Sequence, residues 1–464
     1  MPKKTIGSYG TWESPITSDL IVADTVGLME ARAVGDDVYW IEMRPQEKGR
    51  SVIVRRRSDG QVEEVTRAPF SARTRVHEYG GGAFTVQADT VYFANFSDQR
   101  IYRQHMGSEP EPLTLEGEMR YADMVMEPNG QGMVAVREDH SVEGREAVNT
   151  LVWLGPNGGG PGKVIVTGAD FYASPRFDPK GERLAWLSWN HPHMPWDGTE
   201  LWAADISHEG VPSTPTKVAG GPTESIFQPE WSPAGVLHFV SDRTGWWNLH
   251  RWDGGEITEL CPMEAEFGRP QWIFGLSTYG FESETRIVAV YEEEGCSHLA
   301  RLDTETHQLE SIPTPHTQIW KIGVGSRSVV MIGGAPDRPS EVVQVDLSVG
   351  HIEVVRRSNA LLMEDAYLSV AEAIEFPTTD GLTAHAFFYP AKNDDYSAPE
   401  GEKPPLLVMS HGGPTSATDT TLNLKIQYWT SRGIAVVDVN YGGSTGYGRE
   451  YRKRLNGRWG LVDV

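Results

Sequence analysis

Two short blocks near the end of the chain are suited to acyl-transfer chemistry. The first is His-Gly-Gly-Pro at 411–414, which directly follows an apolar run, and the second is Gly-Gly-Ser-Thr-Gly at 442–446. Backbone N–H groups in a glycine turn can approach a carbonyl oxygen closely and stabilise the negative charge that develops there during acyl transfer. The first block therefore predicts an oxyanion-binding turn, while the second has the form of a G-x-S-x-G nucleophile motif.

The second block is nevertheless not expected to contain the nucleophile. In the α/β-hydrolase fold the acid and the histidine of the triad follow the serine, and after Gly446 the chain offers only Asp463 and no histidine. Ser444 also comes too early, because only one strand–helix–strand unit separates it from the first block. We therefore interpret 442–446 as a structural loop, flanked by Tyr441 and Tyr447 as candidate residues of a substrate pocket.

The elements that would position these blocks begin at about residue 359. From 405 to 448 the order is an apolar strand, the glycine turn, a helix and a second apolar strand, which favours parallel pairing in a doubly wound sheet. The apolar run LLVMS is typical of a strand that is covered on both faces. Residues 359–464 are therefore predicted to form the N-terminal part of an incomplete α/β-hydrolase domain with a mixed, mostly parallel sheet.

Residues 28–358 consist instead of short strands separated by Gly, Pro, Asp and Asn, with little helical periodicity. Units repeat at intervals of roughly 40 to 50 residues, each with a pair of strands interpreted as inner and outer, followed by another strand. Four short strands per unit predict an all-β, seven-bladed β-propeller, whose closure would protect the sheet edges. The seven pairs begin near Asp37, Thr90, Gly132, Arg183, Val236, Arg286 and Ser328.

Composition argues against several classes of function. The formal charge of −23 disfavours nucleic-acid binding, which requires a basic surface. No run of about 18 apolar residues occurs and no signal peptide is evident, so neither a membrane span nor secretion is expected. The only cysteines, Cys261 and Cys296, favour a reducing, cytoplasmic location over a disulfide framework. His191 and His193 lack a clear third ligand, so no metal and no cofactor are predicted.

Several blocks in combination resemble the prolyl oligopeptidase family, and within it the acylaminoacyl-peptidase and dipeptidyl-aminopeptidase branch. The resemblance implies a serine peptidase in which a propeller limits access to an α/β-hydrolase domain. It also implies that the N-terminal segment, residues 1–27, packs on the hydrolase domain. The blocks include YGTWESPIT (9–17), RTRVHEYGGGAF (73–84), EFPTTDGLTAHAFFYP (375–390), HGGPT (411–415) and NYGGSTGYG (440–448).

The same resemblance assigns roles to residues of the first block. It makes the Gly413 N–H a donor to the oxyanion, and it puts His411 where some relatives have a tyrosine hydroxyl. It further implies that the Ser/Asp/His triad lies beyond Val464, in a missing part of the hydrolase domain. This chain is therefore expected to be inactive by itself.

A charged stretch precedes the triple glycine at 80–82. Arg73, Arg75 and Glu78 are suited to binding a peptide terminus, since arginine pairs with a carboxylate and glutamate with an ammonium group. The alternative is a salt-bridged turn with no ligand.

The leading interpretation is a cytoplasmic serine peptidase that hydrolyses short peptides through an acyl-enzyme. Two alternatives remain open at this point: a non-catalytic propeller that binds peptides or proteins, and a carboxylesterase. The sequence does not decide the cleavage specificity, the preferred side chain at the cut, or whether the protein forms a homo-oligomer.

Overall fold

The computed structural model describes residues 4–23, 25–207, 209–359 and 363–464. Strand β1 (Thr5–Ile6) and the short helix α1 (Ser18–Val22) come first. They are followed by seven consecutive sheets, each of four antiparallel strands that pair in chain order.

We number these sheets 1 to 7 along the chain. Sheet 1 contains β2 (Gly27–Val34), β3 (Asp37–Arg44), β4 (Arg50–Arg56) and β5 (Val62–Glu64), with a 3-10 turn at Pro45–Glu47. Sheet 2 contains β6 (Phe84–Gln87), β7 (Thr90–Ala94), β8 (Ile101–His105) and β9 (Glu111–Pro112). Sheet 3 contains β10 (Met119–Met126), β11 (Met133–Asp139), β12 (Val148–Leu154) and β13 (Lys163–Val166).

The remaining four sheets follow the same plan. Sheet 4 contains β14 (Phe171–Phe177), β15 (Arg183–Trp189), β16 (Thr199–Asp205) and β17 (Thr216–Gly221). Sheet 5 contains β18 (Ile226–Trp231), β19 (Leu237–Ser241), β20 (Asn248–Asp253) and β21 (Glu256–Glu259). Sheet 6 contains β22 (Tyr279–Phe281), β23 (Arg286–Glu293), β24 (Cys296–Asp303) and β25 (Leu309–Ser311). Sheet 7 contains β26 (Gln318–Val324), β27 (Ser328–Ala335), β28 (Arg338–Asp346) and β29 (Ile352–Arg357).

Neighbouring sheets pack face to face because successive side chains of a strand point to opposite faces. In β3, Tyr39 and Ile41 belong to an apolar cluster shared with sheet 2, whereas Val38 and Trp40 belong to a cluster shared with sheet 7. All four side chains are almost completely buried. Sheet 1 is thus held between the second and the last sheet, and β2 lies directly against β26 and β27.

The strand pairs expected from the sequence occur within one residue of their expected starts, as the second and third strands of the seven sheets. However, the strand that the sequence analysis interpreted as inner is the second of the four strands in each sheet. Another strand precedes each pair, and the apolar pattern did not indicate it. Those first strands carry charged residues such as Arg32, Arg176 and Lys321, which interrupt the apolar pattern. Consecutive four-stranded antiparallel sheets in a nearly all-β chain are typical of a β-propeller.

Residues 363–464 add a smaller mixed sheet with the strand order β30-β31-β34-β33. Its strands β33 and β34 are parallel, as the sequence predicts, and helix α2 connects them. The pairings β30–β31 and β31–β34 are antiparallel, so the described part of the sheet is mixed but not mostly parallel. Helix α2 packs Ile426 against Val436 of the sheet. The elements of this region are 3-10 turns at Asp365–Tyr367 and Thr379–Gly381, β30 (Glu372–Pro377), β31 (Thr383–Tyr389), β32 (Tyr396–Ser397), β33 (Leu406–Ser410), α2 (Leu424–Thr430), β34 (Ala435–Asn440) and α3 (Gly448–Lys453).

Strand β33 lies at the edge of this sheet, and only one of its two faces is covered by described residues. Leu406 and Val408 are 55% and 63% exposed, and both line an open cleft of about 630 Å³. The expectation that LLVMS is buried on both sides is therefore wrong for the described residues. Alternate side chains of a strand point to opposite faces, and only the face with Leu407 and Met409 packs against the core.

The N-terminal segment contacts this same region. Strand β1 pairs in parallel with β32, and the Gly10 N–H donates to Arg432 O at 3.0 Å. The amide of Asn393 donates to Glu13 O at 2.9 Å. None of the helices in the described ranges is long and apolar enough to cross a membrane.

Candidate active site

The glycine bend, residues 411–415, begins where β33 ends. Gly413 has a φ of +90°, a conformation that glycine adopts without strain. The residue is exposed, and its N–H has no acceptor among the described residues. A Cβ atom built there would meet only Trp272 Cζ2, at 3.9 Å. The Gly413 N–H is therefore free to donate a hydrogen bond to a ligand.

The side chain of His411 connects the bend with the second glycine-rich block. Its ring stacks on Tyr441 with centroids 4.5 Å apart, and its Nε2 lies 2.7 Å from Ser444 Oγ. Burial lowers the pKa of His411 below its ordinary value, so the imidazole is neutral at pH 7. Ser444 is completely buried, with its hydroxyl engaged in this hydrogen bond. The sequence marked both blocks, but nothing in it indicated this contact.

The two candidate tyrosines lie in different surroundings. The hydroxyl of Tyr441 donates to His411 O at 3.3 Å and to Pro414 O at 3.4 Å. This residue therefore binds two backbone carbonyl groups of the bend. Tyr447 instead stacks on His385 with centroids 4.0 Å apart. Burial raises the pKa of Tyr447 far above its ordinary value, so the hydroxyl stays protonated. The structure thus brings Tyr441 to the bend and Tyr447 to a separate aromatic group.

The charged stretch before the triple glycine is exposed. The guanidinium groups of Arg73 and Arg75 lie 4.9 Å and 5.3 Å from the ring centroid of Phe96. Oε1 of Glu78 accepts a hydrogen bond from Arg120 Nη1 at 3.1 Å. Both arginines are exposed, and their guanidinium groups have no hydrogen-bond or ion-pair partner among the described residues. Glu78 is engaged in an exposed ion pair with Arg120.

Trp272 links this stretch to the bend. Its ring lies 5.2 Å from that of Tyr79, the residue after Glu78, and its indole N–H donates to Thr415 O at 2.7 Å. No motif pointed to Trp272, since a single tryptophan before a strand resembles any other core residue of such a chain.

A cavity of about 460 Å³, the interface cavity, lies between sheets 6 and 7 and the residues that follow the bend. Its wall includes Trp272, Arg269, Glu292 and the segment 416–419. Burial raises the pKa of Glu292 and lowers that of Arg269, and the opposite charges of the two side chains partly offset both shifts. Trp272 of this wall is also the residue that a Cβ atom at position 413 would meet.

The remaining candidate groups are the two cysteines and the histidines considered as metal ligands. Cys261 and Cys296 are unpaired. Nδ1 of His191 lies 3.1 Å from Asp170 Oδ2. In the ranges that the structure describes, no three His, Cys, Asp or Glu side chains are grouped as metal ligands would be.

Comparisons with known sequences match parts of the chain. A sequence profile of the prolyl oligopeptidase family matches residues 420–464. The uncharacterized peptidase YuxL of Bacillus subtilis is 32% identical over 130 residues, which are 28% of this chain and 19% of that protein. The acylamino-acid-releasing enzyme of Sus scrofa is 41% identical over 68 residues, 15% of this chain and 9% of that protein. The matched segments thus span well under two thirds of these curated relatives.

The comparison with solved structures extends over almost the whole chain. A puromycin-hydrolyzing peptidase of Mycobacterium tuberculosis superposes with a TM-score of 0.93 and 39% sequence identity. The superposition covers 99% of this chain and 73% of that one.

Proposed function

Because this chain belongs to the prolyl oligopeptidase family, we propose that it contributes the propeller and the first part of the hydrolase domain to a serine peptidase. Short peptides are the proposed substrates, since related proteins hydrolyse puromycin or release acylamino acids. One observation carries the proposal: Gly413 is exposed, its N–H lacks an acceptor among the described residues, and a Cβ atom at this position would meet Trp272, a wall residue of the interface cavity.

In the proposed reaction, a serine Oγ attacks the scissile carbonyl carbon while a histidine takes up the hydroxyl proton. The carbonyl oxygen becomes an oxyanion and accepts a hydrogen bond from the Gly413 N–H. When the intermediate collapses, the amine leaves with the proton from the histidine, and an acyl-enzyme remains. Water then attacks the acyl group by the same steps and releases the acid.

The serine, the histidine and its aspartate are proposed to come from a further part of the hydrolase domain. Support comes from the open cleft beside β33, where Leu406 and Val408 offer apolar surface that additional strands would cover. The 73% coverage of the solved peptidase is consistent with this view.

Ser444 is proposed to hold His411 in place and not to act as the nucleophile. Its hydroxyl is completely buried and already bonded to Nε2 of that histidine. With the ring stacked on Tyr441, the imidazole has little freedom to rotate. His411 would thereby keep the bend in the conformation that exposes the Gly413 N–H.

We further propose that residues 28–358 form a closed seven-bladed propeller that restricts access to short peptides, with residues 1–27 and 359–464 on the hydrolase side. The contact of β2 with β26 and β27 supports closure, and the pairing of β1 with β32 supports the place of the N-terminal segment. The two unpaired cysteines support a cytoplasmic location.

A fluorophosphonate probe tests the assignment, because it labels an activated serine. We expect no labelling of this 464-residue chain, and labelling plus peptide hydrolysis by the complete gene product. Ser444→Ala in the complete protein should still be labelled and should hydrolyse peptides with a lower kcat, because only the support of His411 is lost. Gly413→Pro, which removes the N–H and cannot adopt the φ of +90°, should lower kcat by about 100-fold or more. The thermal midpoint of each variant serves as the folding control.

Other outcomes would replace the proposal. Loss of labelling in Ser444→Ala would make that residue the nucleophile. Peptide binding without turnover would favour a non-catalytic propeller. Hydrolysis of acyl esters with no hydrolysis of peptides would favour a carboxylesterase.

A further inference from the structure

A second cavity lies inside the seven sheets and belongs to none of the groups described so far. It has a volume of about 420 Å³, and we call it the axial cavity. No residue of 359–464 lines it, so it is separate from the glycine bend. The first strands of six sheets each contribute a residue to its wall. Sheet 6 contributes segment 275–277, which precedes its first strand. The residues from the six first strands include Arg32, Thr85, Asp123, Arg176, Glu230 and Lys321.

One cation of the wall is fully engaged with the two acids. Nη1 of Arg176 donates to Asp123 Oδ1 at 3.2 Å, and its Nε donates to Glu230 Oε1 at 2.9 Å. The other oxygen of Asp123 accepts the Ser174 N–H at 2.6 Å. Both acids of the wall therefore share one ion-pair partner, Arg176, that the protein itself supplies.

The two other cations are paired less closely, because Arg32 has one long ion pair and Lys321 has none among the described residues. The ammonium group of Lys321 belongs to a side chain that is only 4% exposed, and it has no hydrogen-bond or ion-pair partner among the described residues. Arg32 has a buried Nε with no acceptor, and its Nη2 lies 3.9 Å from Glu30 Oε2, beyond hydrogen-bonding distance. Glu30 in turn accepts the Ala83 N–H at 3.0 Å through its other oxygen.

An unpaired ammonium group costs free energy when it is removed from water, and its pKa falls. Burial lowers the pKa of Lys321 to about 8; the nearby carboxylates of Glu30 and Asp123 raise it, whereas Arg32 and Arg176 lower it further. An anion beside Lys321 and Arg32 would reverse this penalty, since charge-assisted hydrogen bonds to carboxylates and other oxyanions are the strong ones. The volume is sufficient for a small molecule.

We propose that the axial cavity is a binding site for a small oxyanion, held by the ammonium group of Lys321 and the guanidinium group of Arg32. The carboxylate of a short peptide and an inorganic oxyanion share this chemistry. The axial cavity shares Leu276 with the wall of the interface cavity, but the proposed anion site does not depend on peptidase activity.

Calorimetric titration of the 464-residue chain at pH 7 and low salt tests the proposal with three probes. They are N-acetyl-diglycine, which carries a carboxylate; its C-terminal amide, which does not; and sulfate. We expect at least one of the anions to bind and the amide not to bind. The anion with the higher affinity identifies the source, peptide or inorganic.

Two variants complete the design. Lys321→Met keeps the length of the side chain and should weaken anion binding by about tenfold or more, since a hydrogen bond to a charged group is lost. Lys163→Met changes a lysine that is 54% exposed on an outer strand and should bind like the unaltered chain. The thermal midpoint with and without the anion gives a second readout, because a bound ligand stabilises the folded state.

Three results would overturn the proposal: no binding of either anion, binding that Lys321→Met leaves unchanged, or equal binding of the amide. Misfolding is not expected to obscure the outcome. Methionine at 321 removes an unpaired buried charge and fills the same space, so this variant should be at least as stable as the unaltered chain without anion.

Discussion

The contact between the seven sheets and helix α3 also contains buried charges, and there every carboxylate oxygen of Asp242 has a partner. Its Oδ2 accepts hydrogen bonds from Arg449 and Arg452, and its Oδ1 accepts the Ser225 N–H at 2.7 Å. Nearby, Glu266 accepts backbone N–H groups from Trp247 at 2.8 Å and from Gly448 at 3.1 Å. In the axial cavity, by contrast, Lys321 has no partner among the described residues.

The difference separates two uses of buried charge. At the α3 contact, charges far apart in the sequence neutralise each other, so the cluster joins residues 448–453 to sheet 5 and needs nothing from outside. Burial still raises the pKa of Glu266, to about 7, but two backbone donors limit the cost. In the axial cavity the penalty on Lys321 is left for a ligand to relieve. At the α3 contact, Nε of Arg449 and Nη1 of Arg452 also lack a hydrogen-bond partner among the described residues, but both side chains bind Asp242 through another nitrogen. Shared carboxylate partners thus indicate a structural contact, and an ammonium group with no partner beside a cavity indicates a binding site.

Removing the shared acid of the α3 contact should have the largest effect. Asp242→Ala leaves the guanidinium groups of Arg449 and Arg452 buried without their common carboxylate, which typically costs about 3–5 kcal/mol. Urea unfolding measures the loss. Glu450→Ala, on the exposed side of the same helix, is the matched control and should unfold like the unaltered chain. Equal stability of the two variants would mean that the cluster does not hold the contact together.

A smaller effect is expected within the axial cavity, where the engaged and the unpaired cation can be compared directly. Arg176→Met leaves Asp123 and Glu230 without their counter-ion and should destabilise the chain by about 2–4 kcal/mol. Lys321→Met should not lower the free energy of unfolding, because no partner is left behind. Urea unfolding of both variants in anion-free buffer is the measurement. A comparable loss in the two variants would show that Lys321 has a structural partner after all.

The second and third strands of each sheet were predictable from the sequence for a physical reason. They are buried on both faces between neighbouring sheets, so apolar and aromatic residues follow one another, as in Val38–Ile41. The first strands were missed because they line the axial cavity and carry charges such as Arg32, Asp123 and Lys321. The apolar pattern therefore indicated the strands that are packed between sheets, but it did not indicate the first strands, which line the axial cavity.

The candidate active site divides in a similar way. The glycine bend was predictable because two consecutive glycines directly after an apolar strand favour a tight turn, and Gly413 does adopt a positive φ. The hydrogen bond between Ser444 and His411 and the indole of Trp272 against Thr415 were not predictable. Both depend on contacts between segments separated by 33 and 143 positions, which local patterns do not encode.

The smallest expected effect is a pH dependence that only the unpaired cation should produce. The pKa of Lys321 is lowered to about 8, so its ammonium form, which binds the anion, is lost as the pH rises through that value. The affinity for the tighter-binding anion should fall by up to about tenfold per pH unit between about pH 8 and 9.5. The other charged groups that act on Lys321 are the carboxylates of Glu30 and Asp123 and the guanidinium groups of Arg32 and Arg176, which keep their charge over this pH range. Neither N-acetyl-diglycine nor sulfate titrates there.

Calorimetric titration at pH 7, 8, 9 and 9.5 measures this dependence. Lys163→Met should reproduce the decline, whereas residual binding to Lys321→Met should be independent of pH. A flat profile in the unaltered chain would show that the anion is held by arginine alone, since a guanidinium group stays protonated at all of these pH values. The contrast between the two charge clusters would then depend on Arg32 and not on Lys321, and the lysine would be an ordinary buried amine solvated by the water of the cavity.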